Sequence, residues 1–272
     1  MYKKIALATL LLFGFSSLHA DYTLKESKRL KTKIDRMPKG RVADMKRIPQ
    51  DPAYYAKQIK PFSKAKQKKL DKEFNRKYFK PWTLSKLDIP KKDFGWETRF
   101  VTKGKIYSEN RKVIPSYVYK KWIRNAQMFK KDSRGYKAIT TRHTSVKALP
   151  TSTSFYRDPK KVGEGFPFDY NQNSALHINV PLYISHYSKD KRWAYVRASY
   201  SFGWVKISDL TVVDRNFIRK FKTGKYAMTI KDNLRLYNDK NKPITIVKLG
   251  ALFPISKEGT QYLTARKNSL AR

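Results

Sequence analysis

Cysteine is missing from all 272 residues. Its absence excludes disulfides, thiolate metal sites and a cysteine nucleophile, although exported chains are free to use disulfides. Acidic residues are scarce as well: 21 Asp and Glu against 61 Lys and Arg leave a formal charge of +40. Such a surface disfavours neutral or cationic partners and favours polyanions. Long apolar runs are also lacking. The one continuous run, residues 5–15, falls well short of the roughly 20 residues that span hydrocarbon, so no transmembrane segment is expected in the mature chain.

What is present begins with Met1-Tyr2-Lys3-Lys4, that apolar run, and Ser16-Ser17-Leu18-His19-Ala20. This is the basic, apolar, small-residue order of a secretory signal, with cleavage expected after Ala20. No cysteine follows to carry a lipid. An exported protein placed in the periplasm or at the cell envelope meets stem-peptide carboxylates, anionic head groups and lipopolysaccharide, so nucleic acid is not an expected partner.

Residues 21–50 are Lys/Arg-rich with few large apolar side chains and read as a basic leader. From Ser63 the spacing predicts a helix to about Lys80, with Leu70, Phe74 and Tyr78 on one stripe and Pro81 as its stop. A second helix is expected after Pro115, with Val118, Trp122 and Ala126 on one face; residues 82–110 between them read as loop. At Lys137 the texture changes to short β-type runs at residues 137–141, 181–186, 193–197 and 203–206. A connector over 209–223 and further short runs at 226–230, 234–237, 244–247 and 249–254 follow. The fold class is therefore α+β: a helical domain over 51–136, one complete small antiparallel barrel over 137–222, and a second, incomplete one over 223–272.

The motifs Arg142-His143-Thr144, Gly163-Glu164-Gly165-Phe166-Pro167-Phe168-Asp169-Tyr170-Asn171-Gln172 and Gly203-Trp204-Val205, in that order, resemble the first SH3-like domain of exported NlpC-type peptidases. In that family a helical clip domain and two SH3-like barrels precede a cysteine peptidase that cuts γ-D-glutamyl to diamino-acid bonds in peptidoglycan. Residues from about 60 to 272 follow the first three parts. The resemblance implies a first barrel that helps wall a peptidase cleft. The family's catalytic chemistry needs a cysteine thiolate, which these residues do not contain.

Asp169, Tyr170 and Gln172 form a polar run beside a glycine-rich loop, suited either to a wall-fragment amine or peptide group or to holding the loop together. Trp193 and Trp204 either stack on a sugar or fill the barrel. Glu164 has no partner carboxylate singled out for glycosidase chemistry. His143, His177 and His186 lack a tight metal-ligand pattern, so no metal or cofactor is expected. The lysines of residues 64–69 and the Lys160-Lys161 pair read as solvated faces or as an anion-binding surface. Taken together, the sequence reads as a non-catalytic periplasmic protein that binds peptidoglycan stem peptides or other anionic envelope polymers. The alternative reading is the targeting part of a truncated or split NlpC-type endopeptidase, with a separate peptidase domain as partner.

Overall fold

A computed structural model describes residues 3–5, 48–49, 51–238, 240–255 and 262–265. The expected signal cleavage site and nearly all of the basic leader lie outside the described residues. None of the described helices is long and apolar enough to cross a membrane. The chain divides into two compact units, residues 8–73 and residues 74–272 together with 1–7.

In the smaller unit, α1 (Pro52–Ala56) starts with the Asp51 carboxylate accepting from the Ala53 N–H at 2.9 Å and with proline at its first position, where no N–H is needed. The long helix α2 (Lys64–Tyr78) begins in this unit and ends in the larger one. Ser63 Oγ accepts from the Lys66 N–H at 3.2 Å, an N-cap of the expected kind. Pro81 then enters a single 3-10 turn, Lys80–Trp82. The anticipated apolar stripe is a partial one, since Leu70 and Phe74 stay exposed while Tyr78 is buried.

The larger unit is built on one antiparallel sheet. Its strands are β2 (Tyr136–Thr140), β3 (Thr144–Lys147), β4 (Gln172–Leu176), β5 (Pro181–Tyr187), β6 (Trp193–Arg197), β7 (Phe202–Lys206) and β8 (Leu210–Val212). Their order is β4-β3-β7-β6-β5-β2-β8. Six consecutive residues of β5 are buried, which a one-sided sheet would not allow, because both faces are covered. Ala138, Leu182, Ile184, Ala194, Val196 and Val205 fill the barrel side. On the other face Tyr183, Trp193, Tyr195 and Trp204 pack against Leu87, Ile89 and Ala126 from the preceding helical part. Fully burying each such side chain contributes roughly 1.5–3 kcal/mol.

Two short helices, over residues 96–102 and 215–221, occupy segments that read as loop and connector, while the helix expected after Pro115 forms. α3 (Trp96–Thr102) presents Val101 to a cluster with Ile106, Ile114, Leu149 and Phe155; α4 (Ser116–Ala126) adds Val118, Trp122 and Ile123 to the same cluster. α5 (Arg215–Phe221) lies within the expected connector and is capped by Asp214 accepting from the Phe217 N–H at 2.6 Å. Its Phe217 and Phe221 join Tyr78, Phe79, Trp82, Ile139 and Val213 in one core. Beyond it β9 (Tyr226–Met228) pairs with β12 (Leu252–Pro254), β10 (Leu234–Tyr237) with β11 (Pro243–Val247), and β13 (Tyr262–Thr264) with β1 (Lys3–Ile5). These are three two-stranded ladders rather than one sheet.

Candidate functional site

The strand ends of the large sheet and the helix behind it enclose two adjoining hollows. The smaller, about 320 Å³, is lined by His143, Thr144, Ser145, Lys147 and Asp209. The larger, about 650 Å³, is lined by Trp122, Asn125, Pro150, Asp190, Arg192 and Ile207. Ser152, Trp193 and Lys206 line both, so the hollows form one groove with Trp193 at its middle.

Its walls are fixed locally. Asn125 and Asp190 exchange hydrogen bonds, with Asn125 Nδ2 donating to the carboxylate at 3.2 Å and the Asp190 N–H donating to Asn125 Oδ1 at 3.1 Å. The same carboxylate accepts from Ser188 Oγ at 2.6 Å and from the Arg192 N–H at 3.0 Å. Burial acts to raise the Asp190 carboxyl, and these hydrogen bonds outweigh it and hold it below its ordinary value. Across the groove Asp209 accepts from Thr144 Oγ1 at 2.7 Å. Both acids are thus engaged in hydrogen bonds, Asp190 at an exposed position, and Lys191, Arg192 and Lys206 are exposed beside them. Lys206 Nζ lies 5.8 Å from the centre of the Trp193 ring, within cation–π range.

The arrangement sets exposed cations beside the Trp193 ring. No hydrogen bond joins His143 to Thr144, Ser145 or Ser152 among the described residues; burial, together with His177 and Lys248, holds its imidazole below the usual range. Ser185 and His186 do meet, at 3.1 Å, but both are fully buried and His186 Nε2 is tied to the Ala126 carbonyl at 3.1 Å. No group of three or more metal-ligating side chains is found among the described residues.

The NLPC_P60 stabilising domain, N-terminal type, matches residues 7–130, and the SH3 domain of SH3b1 type matches residues 154–206. These two segments are thus similar, in that order, to an NLPC_P60 stabilising domain and to an SH3b1 domain. A solved structure described as a novel NlpC/P60 endopeptidase from Photobacterium damselae subsp. piscicida is similar, at 25% identity and a TM-score of 0.61. The match covers 77% of this chain and 52% of that one, so the chain spans about half the length of that enzyme. No curated protein matches.

Within residues 154–206, the segment similar to an SH3b1 domain, the five residues expected to touch ligand are spread apart. Trp193 is 5% exposed and lines the groove. Trp204 is fully buried, in edge contact with His186 and Tyr195; an indole with no open face is a core residue. Asp169 secures the loop, accepting from Ser154 Oγ, the Phe155 N–H, the Asn171 N–H and Lys147 Nζ at 2.8–3.3 Å. Tyr170 stacks on Phe100, with ring centres 5.0 Å apart. Gln172 is exposed and donates to the Ser174 carbonyl at 2.5 Å. Lys147 links the two regions, lining the groove while paired to Asp169.

The groove's basic rim was not singled out in sequence. Arg192 and Lys206 are ordinary members of a lysine-rich composition; Arg192 precedes Trp193 in the chain, and the pairing of β6 with β7 sets Lys206 opposite Trp193. Glu97 was missed too. It is 2% exposed, and burial pushes its carboxyl up to about 7 against the pull of the Tyr195 hydroxyl and Arg99.

Proposed function

We propose that the chain is an exported, non-catalytic envelope protein that binds peptidoglycan stem peptides, or other anionic envelope polymers, in the groove around Trp193. The observation that carries this is the groove itself: exposed Lys191, Arg192 and Lys206 beside an aromatic edge, on an SH3b1 domain, in a sequence without cysteine. Carboxylates on a wall peptide complement those cations, and its apolar parts complement the indole. Trp193 is the one sequence-expected ligand residue kept at the site. The division of the chain near residues 137 and 223, with an incomplete second SH3-like barrel after it, belongs to the same proposal.

The test is a pull-down of the purified chain on insoluble peptidoglycan across a salt series, comparing wild type with Arg192→Glu, Lys206→Glu, Asp169→Ala and Gln172→Ala. Retention at physiological salt that is weakened by the two charge reversals supports the groove. Binding that disappears with modest salt and ignores all four substitutions refutes it, since net charge alone would then be responsible.

A second reading is favoured by the endopeptidase likeness, which covers about half of that enzyme. On it, the chain is the targeting part of an NlpC-type endopeptidase whose peptidase domain is supplied separately. An in-frame Cys and His motif in the adjacent DNA decides for it.

A further inference from the structure

A second surface lies apart from the groove residues. Between Tyr156 and Asp169 the SH3b1 domain carries a loop on which Val162 is fully exposed, and Phe166 and Phe168 keep 60% and 54% of their surface in water. Three large apolar side chains within seven residues are more than scattered surface apolars. Their exposure is built in. The Arg157 N–H donates to the Glu164 carbonyl at 3.1 Å, the Lys161 N–H to the Asp158 carbonyl at 3.0 Å, and the Phe168 N–H to the Gly165 carbonyl at 2.9 Å. Gly165 presses so closely on Pro159 that a Cβ would sit 2.9 Å from its Cα. The base is pinned by Arg157, which donates to the Phe100 carbonyl at 2.7 Å and lies over its ring. Phe166 meets Tyr156 only edge-on, at 6.0 Å.

Exposed Lys160 and Lys161 stand immediately beside the apolar tip. The loop's acids are Asp158, which accepts from the Lys160 N–H at 3.0 Å, and Glu164. The neighbouring hollow is lined by Lys105, Tyr107, Arg157, Asp158, Lys161 and Glu164, a polar wall that offers no apolar trough for a peptide. Apolar side chains held out on a tied loop, next to lysines and in the field of a +40 chain, suit a surface that is anionic outside and apolar within. We propose that this loop docks the protein on an anionic phospholipid bilayer, with Val162, Phe166 and Phe168 entering the interface and Lys160 and Lys161 meeting the head groups.

The test is flotation of the full chain with vesicles of pure phosphatidylcholine and with vesicles containing phosphatidylglycerol. Expected is partitioning onto the anionic vesicles, weakened roughly tenfold or more by F166A/F168A and also weakened by K160E/K161E, with peptidoglycan retention unchanged in both. Val162→Ser, at a side chain that is fully exposed, is the variant to read should the phenylalanine pair disturb folding. No partitioning, or partitioning indifferent to both F166A/F168A and Val162→Ser, overturns the proposal. So does a concentration-dependent dimer that these substitutions abolish, because a second copy would then be the occupant. Failure on vesicles leaves the groove untouched, and failure on peptidoglycan leaves the loop untouched.

Discussion

The Tyr78 hydroxyl donates to the main-chain carbonyl of Asn179 at 3.0 Å, joining the end of α2 to the turn before β5. Asn179 is fully buried at φ +69°, in the left-handed region that asparagine tolerates better than most residues. Its Oδ1 accepts from Thr264 Oγ1 at 2.9 Å and the Ala265 N–H at 3.0 Å, and its Nδ2 donates to the Leu252 carbonyl at 3.1 Å. Helix α2, β12 and the β13 end therefore meet on one residue, the helix at its carbonyl and the other two at its side chain. Asn179→Ala strands three buried polar groups and is expected to cost about 3 kcal/mol or more. Asn179→Asp, which keeps the acceptor, should cost less than Asn179→Ala. Urea denaturation of the two variants checks the order.

Stability should depend on pH through two buried groups acting in opposite directions. Burial lowers His186 from 6.5 to about 4, while Glu97 is raised from 4.5 to about 7. As pH falls from about 6.5 to 4 the unfolded chain takes up the histidine proton first, so stability is lost. As pH rises from about 4.5 to 7 the unfolded chain gives up the glutamate proton first, so stability is again lost. Between about 4.5 and 6.5 the two slopes cancel. Glu97→Gln removes the second effect, and its stability should climb by about 2–3 kcal/mol across that window. For His186→Gln the slope should reverse. Urea midpoints at several pH values test both, and a flat profile in either variant would sink the assignment.

Asp169 is expected to act on folding before it acts on any ligand. Its replacement by alanine leaves Ser154 Oγ, two N–H groups and the Lys147 ammonium without their acceptor, a loss of about 2–4 kcal/mol. Gln172→Ala, at an exposed amide bonded only within its own strand, should stay within about 0.5 kcal/mol of wild type. Thermal melts of the two separate the roles. An Asp169→Ala variant that melts like wild type yet loses peptidoglycan would return Asp169 to the binding site.

The α+β class was legible because the helical spacing at Val118, Trp122 and Ala126 and the β-branched and aromatic runs of β5 and β6 each match their period. β4 was not legible: Gln172-Asn173-Ser174-Ala175-Leu176 contains no β-branched residue, and its strand state comes from pairing with β3. α3 was hidden for a related reason, since seven residues carry too little periodicity and its stability comes from packing Val101 on Phe155 and Leu149. At the site, residue type identified Trp193 and Trp204 equally well. Alternation along a strand cannot tell an inward indole from one at a groove edge when both faces of the sheet are buried.

Gly203 is the glycine whose replacement should hurt most. It sits at φ +143°, and a Cβ there would lie 2.7 Å from the Lys147 carbonyl oxygen and 2.8 Å from Val146 Cγ1. Neither neighbour can give way, because Val146 is fully buried in the barrel core and Lys147 belongs to β3, which pairs with β7 at this point. Gly203→Ala must therefore part the two strands, at a cost of about 2–4 kcal/mol. Gly163→Ala is the control: its φ of +79° is also left-handed, but nothing lies within 4 Å of the added carbon, so only a backbone cost of about 1 kcal/mol is expected. Denaturant midpoints should fall in that order. Since the parted strand carries Lys147 in the groove wall, Gly203→Ala should also weaken peptidoglycan retention while Gly163→Ala leaves it unchanged.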